Sequence, residues 1–183
     1  MTPQKILCPP HAVALVVCTL VFSCERQVPT PIDDISSRAL RIHDRVLTLD
    51  THVDIPFEFA SDSVDPGIRG PYRVDLPKMD EGGLDALFWI VYVRQTEARD
   101  EEANTAAKRA AMIKFDAIHR AVESMYPDRV ELAYTVDDVE RIHAAGKHVA
   151  AIGIENGFVI GRDLSLVDRY HELGARYITL AHG

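Results

Sequence analysis

His52 and Asp54 stand two residues apart in the segment LDTHVDIP, between the apolar run VLTLD and a proline. In an extended chain, residues two apart point the same way, so an imidazole nitrogen and a carboxylate oxygen can face one spot. That pair of donors suits a divalent transition metal such as Zn2+. The letters alone are common, because a capping aspartate beside a surface histidine spells the same pattern. Glu155 adds weight. It follows the apolar stretch HVAAIGI's strand signal and precedes Asn156-Gly157, so an acid stands where an apolar strand leaves its sheet. Carboxylates are rarely buried unless they are paired or bind a cation. His182 occupies the matching place after RYITLA. The other histidines, His43, His119, His143, His148 and His171, fall in helical stretches or at a strand start, where surface or packing roles are expected.

Such groups meet only if separate elements carry them to one rim. Asp33 and Asp34 open an amphipathic segment, ISSRALRIHDRV, which gives way to VLTLD at 46–50 and then to a loop beginning DTHVDIP. That loop carries Pro56, Pro66, Gly67, Gly70 and Pro71, and a short helical stretch, VDLPKMDEGG, ends it in a glycine pair suited to a helix C-terminus. LDALFWIVYV at 84–93 is continuously apolar, as a strand buried on both faces would be. Residues 100–125 have helical period: Ala107, Ala111, Phe115, Ile118, Val122 and Met125 recur at steps of three and four, as a core stripe does. The short piece VELAY is followed by TVDDVERIHAAG, with Thr135 as N-cap and Gly146 past the end, then by strand 148–154, helix SLVDRYHELG and strand 176–182. Buried strands separated by helices predict a parallel sheet with helical crossovers. A doubly wound sheet and a TIM barrel both satisfy the pattern, although no GxGxxG follows the first strand. In either, the C-terminal strand ends form the active face, which is where His52/Asp54, Glu155 and His182 fall.

The 183 residues are 47% hydrophobic and 26% charged, enough to bury a core. A net charge of −8 makes nucleic acid a poor partner, because phosphate contacts need a basic surface. Residues 1–23 carry a single charged side chain, Lys5, ahead of an apolar stretch from Ala12 to Phe22. That stretch is shorter than the roughly 20 residues that span a bilayer and fits a signal-peptide core of about 7–15. VFSC at 21–24 resembles a bacterial lipobox, with Cys24 as the candidate lipid anchor. The expected division is a signal peptide at 1–23, a linker at 24–36 and, at 37–183, the N-terminal part of a metal-dependent barrel. The expected location is outside the cytoplasm, periplasmic or as a membrane-anchored lipoprotein. Cys8, Cys18 and Cys24 all precede the body, which excludes a thiolate metal site or a cysteine nucleophile there.

LDTHVDIP, RVDLPKMDEGGLDALFWIVYV, AIGIENG and RYITLAH together resemble the membrane dipeptidase (renal dipeptidase) family of zinc peptidases, from about residue 38 to the last residue. The resemblance implies a TIM-barrel (β/α)8 metallohydrolase with two zinc ions, which hydrolyses dipeptides through a metal-bridging hydroxide. His52 and Asp54 match the ligands of the first zinc, and Glu155 matches the glutamate that bridges both. His182 matches the histidine that contacts the substrate carbonyl and stabilises the tetrahedral intermediate, and Ala181 stands where a threonine is expected. Two further histidines that complete the second site come later in the family, beyond Gly183. A full barrel usually needs roughly 250 residues. The expectation is therefore an incomplete barrel of about four strands, inactive as it stands, with a homodimer as the candidate assembly of the full-length protein. Two alternatives stay open: a non-enzymatic exported binding lipoprotein on a degenerate half barrel, and another amidohydrolase such as a deacetylase or lactonase.

Overall fold

The computed structural model describes residues 34–182. The expected signal peptide at 1–23, the expected lipid anchor at Cys24 and the expected linker up to residue 33 lie outside the described residues. Helix α1 (Ile35–His43) opens the described part, with the Asp34 carboxylate accepting from the Ser36 amide at 2.6 Å. Then come β1 (Leu49–Asp54), α2 (Leu76–Gly82), β2 (Ala86–Tyr92) and α3 (Glu101–Arg120), which continues as a π-helical turn, Ala121–Met125. They are followed by β3 (Val130–Leu132), α4 (Val136–Ala144), β4 (His148–Glu155), α5 (Ser165–Glu172) and β5 (Ala175–Ile178).

Side-chain caps decide where the helices begin. Asp75 and Asp100 accept from the backbone amides of Lys78 and Ala103, and Thr135 and Asp138 form a reciprocal capping box at the start of α4. Gly83 closes α2 at φ 63°, a left-handed backbone that only glycine adopts without strain.

All five strands pair in parallel. β1, β2, β4 and β5 lie side by side in chain order without reversing direction across the sheet, as the first strands of a TIM barrel do. A doubly wound sheet would reverse at a switch point, and none occurs among these four. The short β3 shares one edge of β4 with β5. It pairs with the first residues of β4, Val130↔His148 to Leu132↔Ala150, and β5 takes the later ones, Ile152↔Ala175 to Ile154↔Ile178.

One face of the sheet holds the core. Leu87, Trp89 and Val91 of β2 and Ala150, Ile152 and Ile154 of β4 pack in one cluster with Ala111, Phe115 and Ile118 of α3. Each fully buried side chain of this size contributes about 1.5–3 kcal/mol, so this face holds the sheet to its helices. The opposite face, which would line a barrel interior, carries Phe88, Tyr177, Glu155 and His52, whose rings and polar atoms touch one another.

Two strand boundaries differ from the sequence pattern. β1 does not stop at Asp50: its ladder with β2 runs on to Asp54↔Ile90, so His52 and Asp54 belong to the strand and not to a following loop. β5 ends at Ile178 instead of at His182; past it the Thr179 N–H still donates to the Ile154 carbonyl at 3.0 Å, and the Leu180 carbonyl accepts from the Gly157 N–H at 3.3 Å. The reason lies in β4, which ends at Glu155: Asn156 takes φ 65° and breaks the extended run, so the bonds beyond it no longer form a regular ladder.

Candidate metal centre

Irregular register aims the site. Between Asp50↔Leu87 and Val53↔Trp89, β1 advances three residues while β2 advances two. Between Ile152↔Ala175 and Gly153↔Tyr177, β5 advances two residues for one of β4. An extra residue in a ladder re-aims the side chains beyond it, a frequent device beside active sites. Here it turns His52 and Tyr177 onto the same face as Glu155.

The structure brings three sequence-expected ligands together. His52 Nε2 lies 3.6 Å from Asp54 Oδ1 and 3.3 Å from Glu155 Oε2. One donor atom from each of His52, Asp54 and Glu155 lies within 4.8 Å of the others. Donors at about 2.0–2.2 Å from a tetrahedral zinc stand roughly 3.3–3.5 Å from each other, so His52 already stands near chelating distance from each carboxylate. One imidazole and two carboxylates also match the nitrogen and oxygen ligands that zinc accepts. No lysine or arginine forms an ion pair with Asp54 or Glu155 among the described residues, so their carboxylate oxygens are not taken up by a basic side chain. The residues fit a divalent metal.

His182, four residues past the end of β5, places Nε2 3.4 Å from the other oxygen of Glu155, Oε1. Its ring rests against Tyr92 with centroids 5.2 Å apart. Glu155 thus presents one oxygen toward His52 and one toward His182. Its own side chain is only 16% exposed, against 67% for Asp54.

Asn156 fixes the turn that follows Glu155. It is 1% exposed and adopts φ 65° and ψ 143°, a combination that side-chain-bearing residues rarely take. Its Nδ2 donates to the Val93 carbonyl and its Oδ1 accepts from the Phe158 amide, each at 3.0 Å. The Asn156 amide itself donates to Thr179 Oγ1 at 2.9 Å, tying the end of β4 to the end of β5.

Sequence reasoning passed over two neighbours of the site. Lys114 of α3 is buried, and its Nζ donates to the Ile55 carbonyl at 2.7 Å, just beyond Asp54. Burial pushes its ammonium below the ordinary value, and the Asp54, Glu155 and Glu58 carboxylates pull the other way. The available signal was a lysine three residues after Ala111 and four before Ile118, on the apolar stripe. Tyr177 of β5 reaches across to β1, with its hydroxyl 3.0 Å from the Thr51 carbonyl and 3.2 Å from His52 Nδ1. Burial raises the pKa of that hydroxyl, and the Glu155, Asp54 and Asp50 carboxylates add to the effect.

Four of the other histidines engage partners away from this cluster. His43 meets the Gly82 carbonyl, His119 meets Glu123 and the Leu173 carbonyl, His148 meets Asp80, and His143 faces Asp85. A cavity of about 210 Å3 opens beside Asp54, walled by Val53, Phe59, Ile68, Tyr72 and Trp89 among others.

A parallel barrel-type sheet with a His-Asp-Glu cluster at its strand ends is the arrangement of a metal-dependent hydrolase. Residues 36–183 match the family described as membrane dipeptidase, peptidase family M19, and the chain belongs to that family. Dipeptidase verJ of Clonostachys rogersoniana is 30% identical over 162 residues, covering 82% of this chain and 42% of verJ. The crystal structure of the probable dipeptidase PvdM from Pseudomonas aeruginosa has a TM-score of 0.71 at 22% identity, covering 79% of this chain and 37% of that one. A metallo peptidase from Rhodobacter sphaeroides, liganded with a phosphinate mimic of the dipeptide L-Ala-D-Ala, has a TM-score of 0.58 at 23% identity. It covers 73% of this chain, and the match takes in 44% of that structure. The chain spans less than half the length of each of these relatives.

Proposed function

We propose that this chain carries part of the active site of a zinc-dependent dipeptidase. The observation that carries the reading is the cluster of His52, Asp54 and Glu155, with donor atoms within 4.8 Å of one another, in a member of the membrane dipeptidase family. His52 and Asp54 would hold one zinc, and Glu155 would be shared with a second. When bound, zinc supplies Lewis acidity toward a water molecule and toward the scissile carbonyl. The protein's own part is to place groups around that chemistry. Glu155, with its oxygens turned to opposite sides, suits a bridging role. His182 can donate its N–H to the carbonyl oxygen as negative charge develops there, which preorganised donors do at little reorganisation cost. The dipeptide-mimic complex of the Rhodobacter relative supports dipeptides as the substrate class. The apolar leader with its lipobox supports export, with Cys24 as the anchor.

The test uses the full-length protein. Asp54→Asn and Glu155→Gln keep side-chain shape and remove charge, so both are expected to fold while zinc content by elemental analysis falls. Hydrolysis across a dipeptide panel should fall with it, by at least about 100-fold at the level expected for lost metal ligation. His119→Ala, away from the cluster, should leave zinc content unchanged. Normal zinc and normal turnover in Glu155→Gln would remove Glu155 from the site.

A further inference from the structure

The hydroxyl of Tyr177 decides which nitrogen of His52 carries a proton. A tyrosine hydroxyl has one hydrogen to donate, and a backbone carbonyl can only accept. Tyr177 Oη lies 3.0 Å from the Thr51 carbonyl oxygen and 3.2 Å from His52 Nδ1. With the single hydroxyl proton given to Thr51, the nearer of the two, the lone pairs of Oη face Nδ1, and Nδ1 is then the donor. In a neutral imidazole with Nδ1 protonated, Nε2 presents a bare lone pair. That lone pair points among Asp54 Oδ1 at 3.6 Å and Glu155 Oε2 at 3.3 Å, both of them acceptors. An imidazole lone pair set beside two carboxylate oxygens forms a place for a cation.

The sheet is shaped to let the tyrosine through. Gly153 of β4 lies opposite Tyr177 in the ladder, and a Cβ added there would stand 2.3 Å from the Tyr177 Cζ. No side chain fits that gap. The extra residue in β5 immediately before Tyr177 turns the ring onto this face, and Phe88 of β2 supports it with centroids 5.2 Å apart. Three strands therefore contribute to one hydrogen bond on β1.

We propose that Tyr177 is the positioning residue of the metal centre: it holds His52 in the Nδ1-protonated tautomer, with Nε2 turned to the metal, and Gly153 provides the space for it. Histidine ligands commonly have the second ring nitrogen fixed in this way, usually by a carboxylate or a carbonyl. Here a phenol relays the bond to a carbonyl of the same strand that carries the ligand. The consequence for zinc rests on the dipeptidase reading, but the tautomer does not.

Two measurements on the full-length protein separate these. In metal-free protein labelled with 15N at histidine, two-bond 1H–15N spectra should show His52 protonated on Nδ1. Tyr177→Phe keeps the ring against Phe88 and removes only the relay, so His52 should then move toward the Nε2-protonated form, which can donate to Glu155. Zinc affinity, read by competition with a chromophoric chelator, should fall about 10–100-fold, with the far-UV spectrum unchanged. Should Tyr177→Phe not fold, Gly153→Ala carries the same test, because it displaces the ring while keeping the hydroxyl. A His52 protonated on Nε2 in the unmodified protein, or a tautomer unmoved by loss of the hydroxyl, overturns the proposal. Unmodified protein that binds no zinc but shows the expected tautomer would overturn the dipeptidase reading and leave the Tyr177 assignment standing.

Discussion

Asn156 offers the sharpest test of how the end of β4 is held. Replacing it with alanine removes both side-chain hydrogen bonds, to the Val93 carbonyl and from the Phe158 amide, while keeping a Cβ on a backbone at φ 65°. Each backbone group left unpaired in a buried place costs about 1–3 kcal/mol, so Asn156→Ala should lose about 3 kcal/mol in total. Asn156→Gly orphans the same two groups but relieves the strain of a side chain at positive φ, worth about 1–2 kcal/mol. Part of that relief is offset by the greater freedom of glycine in the unfolded chain, about 0.4–1 kcal/mol. The glycine variant should therefore be more stable than the alanine variant by about 0.5–1 kcal/mol, although it has fewer atoms to pack. Urea unfolding followed by circular dichroism measures both, provided the m-values agree. An alanine variant at least as stable as the glycine variant would refute the strain argument. A loss below about 1 kcal/mol in both variants would refute the hydrogen-bond argument. Because Asn156 directly follows Glu155, weaker zinc binding should accompany the loss of stability in both.

Alkaline unfolding should report on Tyr170, which is 1% exposed, donates to the Val159 carbonyl at 2.9 Å and stacks on Phe115. Burial pushes its pKa up to about 12. The folded state then keeps a proton that the unfolded chain releases near pH 10, so this stability is intact below about pH 10 and lost as pH rises toward 12. Tyr170→Phe should flatten that limb of a stability-versus-pH curve, and an unchanged limb would place the sensitivity elsewhere. Thr135→Ala removes one arm of the capping box on α4 and should cost about 1 kcal/mol, read as a lower Tm. No loss of Tm would mean that the first turn of α4 is held by other contacts.

Much of the fold was written in local signals. The stripe of Ala107, Ala111, Phe115 and Ile118 has the period of a helix, and it is the face of α3 that the structure buries. Asp75, Asp100 and Thr135 cap helices within three residues of their own positions, which needs no knowledge of the rest of the chain. The apolar runs of β2 and β4 required cover on both faces, and that was enough to imply parallel strands with helical crossovers. His52, Asp54, Glu155 and His182 could be picked out because polar groups at the ends of apolar strands need partners. Strand ends and register were not legible. β1 reaches Asp54 because β2, more than thirty residues later, supplies a ladder out to Ile90. Lys114 interrupts its own stripe to hold a carbonyl beside Asp54, and Tyr177 reaches His52 because Gly153 leaves a gap beneath its ring. Periods and caps are set by neighbours three or four residues apart, so the elements and the residue types at their ends could be read along the chain. Register belongs to pairs of strands far apart in the chain, so which nitrogen, oxygen and hydroxyl face one another was settled by folding and not by local pattern.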